Sequence, residues 1–269
     1  MDFETREFAE GKMLASAKGG VGTITFNQPE KRNAMSMGMW AGLGEILAIF
    51  EADPALRVVI LTGAGDKAFV SGADISQFDK ARGDSAAQAE YDRLTREGRA
   101  AYAAFSKPMI AKIRGFCLGG GLAIAMQADL RIAADSAQFG IPAAKLGISY
   151  SYPSLRMLVG LVGPAEARML LYTADRIPAA EARSIGLINR SVPEAELDAT
   201  VDRLAATIAT NAPLSVISMK RTITEATRDE AACDMEAVTA NIAMCFNSED
   251  YKEGRAAFKE KRKPVFQGR

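Results

Sequence analysis

Gly115-Phe116-Cys117-Leu118-Gly119-Gly120-Gly121-Leu122-Ala123-Ile124-Ala125-Met126-Gln127-Ala128-Asp129 is the stretch on which the fold turns. Three consecutive glycines stop a strand, and an apolar helix starts at once. Glycine accepts φ > 0 and lets another backbone or a ligand come close. The N–H groups of a helix's first turn lack acceptors inside the helix. A strand, a glycine turn and a helix in succession therefore present bare amides to negative charge. The same glycines also suit a tight turn that packs helix on strand, so the rest of the chain decides between the two. The run from Pro108 to Arg114 reads as the buried strand that leads in.

Upstream, Lys12 to Lys18 and Val21 to Phe26 read as a hairpin around Gly19-Gly20, a glycine pair that such turns favour. Lys18-Gly19-Gly20-Val21-Gly22-Thr23 imitates a nucleotide phosphate loop, but no lysine stands just before the threonine and no helix follows. Asn27 to Ser36 is a polar loop in which Lys31 and Arg32 can hold phosphate, and Ser36 suits the N-cap of a helix from about Met37 to Glu51. Val58-Val59-Ile60-Leu61-Thr62 is a continuous apolar strand, the type buried on both faces. Ala68 to Ile75 reads as a short strand, a glycine and a helix start at Asp74, a second place where amides can face a ligand. Asp79 to Asp92 reads as a mobile loop passing into a helix from about Gln88 to Phe105.

Downstream, Leu130 to Ala134 and Ala137 to Gly140 are short strands, and Pro142 to Pro153 is a hydroxyl-rich loop. Helices follow over about Pro153–Leu161, Pro164–Leu171, Pro178–Ile185, Glu194–Thr210, Leu214–Ala226, Asp229–Cys245 and Ser248–Lys259. Pro164 and Pro178 suit first helical turns, and Asp229 suits an N-cap. Strands alternate with helices until about Gly147 and helices alone follow, so the fold class is α/β with a helical C-terminal part.

The 269 residues are 48% apolar, enough for a substantial core. Lys plus Arg and Asp plus Glu number 33 each, and this balance argues against a nucleic-acid partner. There is no histidine, which removes the Ser-His-Asp triad and the usual zinc sites. Cys117, Cys233 and Cys245 are odd in number and far apart, so reduced thiols in a cytoplasmic setting are expected. Met1 to Gly11 lacks the apolar segment of a signal peptide, and no run is long enough to span a membrane.

Taken together, these segments resemble the crotonase superfamily, the enoyl-CoA hydratase/isomerase family. The resemblance rests on Asn27-Gln28-Pro29-Glu30-Lys31-Arg32-Asn33-Ala34, Phe69-Val70-Ser71-Gly72-Ala73-Asp74-Ile75, Gly115 to Asp129 and Ala137 to Gly140. It extends to Ala180-Glu181-Ala182, Gly186 to Asn189 and Ala257 to Pro264, and so covers the whole chain. It implies a crotonase-like spiral of ββα units over residues 1–195 and a C-terminal helical trimerisation region over 196–269. It implies a homotrimer or dimer of trimers, an acyl-CoA thioester as substrate, coenzyme A as part of that substrate, and no separate cofactor. By motif, the amides of Ala73 and Gly120 form an oxyanion hole, which needs only small residues there. Lys31, Arg32, Ser71, Gly72, Asp74, Ile75, Gly119, Pro142, Ala143 and Ser151 fall on substrate-binding positions. Phe258 and Lys261 fall on positions that reach the adenine and a phosphate from a neighbouring subunit; an amphipathic helix with a solvated basic end accounts for them equally.

The chain departs from the hydratase pattern at two places. The glutamates that activate and deliver water in hydratases of this family match Ala123 and Ala143 here. Loss of a positioned acid or base typically removes about 10²–10⁴-fold in rate. The Leu146-Gly147-Ile148-Ser149-Tyr150 segment resembles the loop of methylmalonyl-CoA decarboxylase-like members, which place a tyrosine there. Loss of CO₂ forms the enolate without a base, and Tyr150 or water then protonates it. A packed tyrosine with its hydroxyl bonded to backbone is the plainer alternative. The decarboxylase-like members often carry a histidine where this chain has Ala73. Hydration or isomerisation, decarboxylation, and acyl-CoA binding without catalysis all stay open.

Overall fold

The computed structural model describes residues 2–74 and 85–269. Three times the chain lays a strand in one sheet, turns, and lays a shorter strand in a second sheet. The pairs are β4 (Val58–Gly63) with β5 (Ala68–Val70), β6 (Met109–Ile113) with β7 (Phe116–Leu118), and β8 (Leu130–Ala134) with β9 (Gln138–Gly140). Before them come β1 (Phe3–Phe8), β2 (Met13–Lys18) and β3 (Val21–Phe26); after them come β10 (Ile177–Pro178) and β11 (Arg190–Val192). The larger sheet runs β1-β2-β3-β4-β6-β8-β11, parallel from β3 onward; the smaller runs β10-β9-β7-β5. Repetition of this strand–strand–helix unit is the expected spiral.

The continuous apolar run at β4 is buried on both faces because successive side chains point opposite ways. Val59 and Leu61 enter the main core with α1 (Met37–Ala52), whose Met39, Leu43, Ile46, Leu47 and Phe50 recur at helical spacing. Val58 and Ile60 face the other way, onto Leu197, Val201 and Ala205 of a later helix. Ser36 caps α1, its hydroxyl accepting from Met39 N–H at 3.3 Å.

The other helices are α2 (Ser85–Ala104), α3 (Gly120–Gln127), α4 (Tyr152–Thr173), α5 (Ala179–Ser184), α6 (Leu197–Thr210), α7 (Pro213–Ala226), α8 (Met235–Asn247) and α9 (Glu249–Glu260). The expected boundary at 195/196 falls just before α6, which packs on the large sheet.

Five local expectations are corrected. The strand entering the glycine turn is not the Pro108–Arg114 run. That run is β6, and the chain breaks at Gly115 and enters the turn from β7 in the other sheet. Phe3–Phe8, read only as a polar start, is a strand paired with β2. Asp229 makes no cap bond; Asp234 caps α8 by accepting from Ala237 N–H at 2.9 Å. Pro178 precedes the first turn of α5 and closes β10. The two helices expected around Pro164 join end to end in α4, with a kink at Gly163. Ile75 and residues 79–84 of the expected Asp79–Asp92 loop lie outside the described residues, and from Ser85 the rest of that stretch is already helical in α2.

Candidate active site

Two turns from different repeats meet at one point. After β5 the chain pairs with Met35: Met35 N–H donates to Gly72 O at 2.8 Å and Asp74 N–H to Met35 O at 2.9 Å. In a parallel bridge of this kind the middle residue's own N–H and C=O point to the opposite side. That residue is Ala73. The second turn leaves β7 through Gly119, whose φ of 52° and ψ of −119° favour glycine. Gly119 N–H donates to Gly140 O at 2.9 Å, and α3 begins at Gly120, whose N–H has no acceptor within the helix. A methyl group built on Gly120 would have its nearest neighbours in Gly72 and Ala73, with Ala73 N at 3.7 Å. Neither the Ala73 nor the Gly120 N–H has a protein acceptor among the described residues.

The approach is enforced from behind. A β-carbon on Gly121 would fall 1.9 Å from Val70 O, so α3 lies directly against β5 and only glycine fits. At its other end, Tyr102 of α2 donates to Ile124 O at 3.0 Å.

Tyr150 stands beside the glycine turn. Its hydroxyl lies 4.0 Å from where a Gly119 β-carbon would be, next to Pro142 Cδ at 3.8 Å. The hydroxyl is buried and has no hydrogen-bond partner among the described residues, so none of their backbone groups accounts for it. Burial pushes its pKa up to about 12; the charge of Arg99 on α2 opposes the shift, and Cys117 adds to it. The hydroxyl therefore keeps its proton at neutral pH. Ala123 on α3 and Ala143 in the 3-10 turn Pro142–Leu146 are both buried in the core cluster against which Tyr150 packs. Ser151 precedes α4 and its hydroxyl lies 3.0 Å from that of Ser154, without capping the helix.

Other expected binding residues are engaged with one another. Lys31 Nζ donates to Asp74 at 2.8 Å, with Asp74 buried and Lys31 half-exposed. Ser71 N–H donates to Arg32 O at 3.1 Å. Phe258 is 89% exposed on α9, and Lys261 ends that helix in the left-handed region. No hydrogen bond or ring contact joins either to the Ala73–Gly120 turns among the described residues. Reading the sequence missed Arg99, whose charge acts on Tyr150. It gave no local signal, because only the packing of the folded chain sets α2 near that tyrosine.

This chain matches the model of the enoyl-CoA hydratase/isomerase family over residues 16–269, and it belongs to that family, within the crotonase superfamily. It is 38% identical over 244 residues to a crotonyl-CoA hydratase of Syntrophomonas wolfei subsp. wolfei, covering 90% of this chain and 93% of that protein. It is 36% identical over 255 residues to a carnitinyl-CoA dehydratase of Escherichia coli, covering 93% and 96%. Among solved structures, an enoyl-CoA hydratase/carnithine racemase from Magnetospirillum magneticum superimposes with a TM-score of 0.90 at 37% identity, covering 96% of each chain. Among the described residues, no helix is long and apolar enough to cross a membrane.

Proposed function

We propose that the protein acts on acyl-CoA thioesters through a thioester enolate. The Ala73 and Gly120 N–H groups hold the thioester oxygen, and the Tyr150 hydroxyl delivers a proton to the carbon framework. The observation that carries this reading is the convergence of two acceptor-less amides from separate turns, with Ala73 N 3.7 Å from a Gly120 β-carbon position. Preorganised donors aimed at developing charge contribute on the order of 10²–10³ in rate apiece. Coenzyme A enters as part of the substrate. In this reading the Ser71–Asp74 segment lies along the CoA arm, and Phe258 and Lys261 meet the adenine and a phosphate of a neighbouring subunit's ligand.

With Ala123 and Ala143 at the positions matched to the hydratase glutamates, the reaction that fits best is one that generates the enolate by itself. Loss of CO₂ from a malonyl-type thioester leaves its C–C electron pair as the enolate, held by the two amides. Tyr150 then protonates the α-carbon, and solvent returns the proton to the phenolate. A carboxylate pair in the site would repel such a substrate. A second reading, water addition to a short enoyl thioester, is favoured by the names of the relatives. A substrate panel separates them. Methylmalonyl-CoA and ethylmalonyl-CoA are expected to release CO₂, and crotonyl-CoA is expected to turn over slowly. Rapid crotonyl-CoA hydration would overturn the first reading, and tight binding without turnover would identify a non-catalytic acyl-CoA binder.

A further inference from the structure

We infer that Arg99 and the buried hydroxyl of Thr95, on the face of α2 that borders the site, bind a free carboxylate carried by the acyl group, a role that rests on the acyl-CoA reading above and narrows the substrate class to monothioesters of dicarboxylic acids. Thr95, Gly98, Arg99 and Tyr102 recur at helical spacing and share one face of α2. Two of them fix where that face lies. Tyr102 donates to Ile124 O of α3 at 3.0 Å, next in the chain to Ala123. A β-carbon on Gly98 would fall 2.7 Å from Trp40 O, so α2 presses on the first turn of α1. The two helices run in the same direction, with Trp40 at Gly98, Gly44 at Ala101 and Glu51 at Ser106. One turn before Gly98, Thr95 therefore stands at the level where α1 begins, and Met35, just ahead of that start, is the residue paired with Ala73. On the other side the charge of Arg99 is felt at the Tyr150 hydroxyl. The face thus spans the ground between the Ala73 turn and the tyrosine.

Arg99 lies over an aromatic ring and holds no anion. Its guanidinium carbon is 5.3 Å from the centre of the Trp40 ring, and among the described residues it makes no hydrogen bond and no ion pair. Its neighbours one helical turn away are Thr95, Arg96, Tyr102 and Ala103, none of them an acid. Glu90 and Glu97 of the same helix both hold Arg93, at 2.7 Å each. An arginine stacked on an aromatic face keeps its N–H donors at the rim of its plane, where they match a carboxylate.

The Thr95 hydroxyl is buried and, like that of Tyr150, has no hydrogen-bond partner among the described residues. A buried hydroxyl left unpaired is costly, and a ligand that accepts from it removes the cost. A carboxylate only accepts, and its two oxygens have room for several donors. One such group therefore answers the cation and the hydroxyl together, through charge-assisted bonds. A neutral acyl chain answers neither. Ala123 and Ala143 suit the same ligand, because a carboxylate side chain at either position would repel it.

Trp40 is the chain's only tryptophan, so its fluorescence reports a ligand that reaches Arg99. The test follows that signal on rapid mixing, ahead of turnover, with methylmalonyl-CoA and with propionyl-CoA, which differ only by the carboxylate. It compares the full chain with Arg99→Gln, Arg99→Lys and Thr95→Val, and thermal melts establish that each variant folds. The wild type is expected to bind methylmalonyl-CoA about tenfold tighter than propionyl-CoA or better, and that preference is expected to shrink as salt is added. It should fall below about twofold in Arg99→Gln, survive in part in Arg99→Lys, which keeps the charge, and weaken in Thr95→Val. A wild type without the preference, or an Arg99→Gln protein that keeps it, would overturn the carboxylate subsite and leave the acyl-CoA reading intact. Arginine-dependent binding of methylmalonyl-CoA without release of CO₂ supports the subsite and overturns decarboxylation. If neither thioester binds, the subsite and the acyl-CoA reading fall together.

Discussion

A methyl group at position 120 separates folding from function at the scale of one residue. It would meet Ala73 N at 3.7 Å, an ordinary contact, and so should not strain the fold. Alanine is also the better helix former by about 0.5–1 kcal/mol. Yet the methyl fills the space in front of the two amides. Gly120→Ala is expected to keep or raise the melting temperature while kcat/KM falls by about 10²-fold or more, measured on whichever thioester the panel identifies. Unchanged kcat/KM would remove the amide pair from the mechanism. Tyr150→Phe is expected to act in the same divided way. The lost hydroxyl is buried with no partner among the described residues, so stability should hold or rise, whereas proton delivery should drop by about 10²-fold in kcat. Burial pushes the tyrosine's pKa from 10.0 up to about 12, so between those values the unfolded chain gives up this proton first. Its contribution to stability is therefore complete below pH 10.0 and lost toward pH 12, and activity that depends on it should decline over the approach to pH 12. A kcat of Tyr150→Phe equal to wild type would remove the tyrosine. The convergence of the Ala73 and Gly120 turns and the place of Tyr150 beside them were suggested by stretches whose local pattern, a glycine run or a hydroxyl-rich loop, already marks them. Arg99 was not, since its effect on Tyr150 depends on how α2 packs in the folded chain.

At the scale of elements, the β5–α3 contact is what holds the two turns together. The neighbouring glycine gives the contrast: a β-carbon at 121 would sit 1.9 Å from Val70 O and 2.8 Å from Val70 Cβ, and neither can move without parting helix from strand. Gly121→Ala is expected to destabilise by more than about 2 kcal/mol, in the range of overpacked cores, seen as a lower denaturant midpoint. The pair of variants, one residue apart on the same helix, should thus fail in different ways. A Gly121→Ala protein as stable as wild type would mean that the helix does not press on β5 as described. Sequence pattern located α1, β2, β3, β4 and α6 closely, because each carries its own period of apolar residues or its own cap. It misplaced the strand into the glycine turn because three-residue strands such as β7 are too short to carry a period. It likewise took Asp229 for a cap: both Asp229 and Asp234 have the right chemistry, and only the backbone decides which hydrogen bond forms.

The whole molecule is left with more surface than one chain of its size should expose. Its accessible area is 14189 Å², against about 11,300 Å² expected for a folded monomer of this mass. Part of the exposed surface is apolar, on helix faces that the core does not use. Tyr152, Met169 and Tyr172 project from α4, Met219 and Ile223 from α7, and Met235, Ile242 and Phe246 from α8. Large side chains grouped on helix faces in this way mark surfaces that bind other protein. Self-association is the expectation to test, since the helices that carry them lie in or near the C-terminal region that the family resemblance assigns to trimerisation. Light scattering coupled to size exclusion is expected to give the mass of three or six chains. Paired substitutions Met219→Asp and Ile223→Asp are expected to lower that mass and, if Phe258 and Lys261 serve a neighbour's ligand, to weaken acetyl-CoA binding as well. A stable single-chain mass at assay concentration would mean that these faces have some other use, and that each chain must complete its CoA site from its own residues.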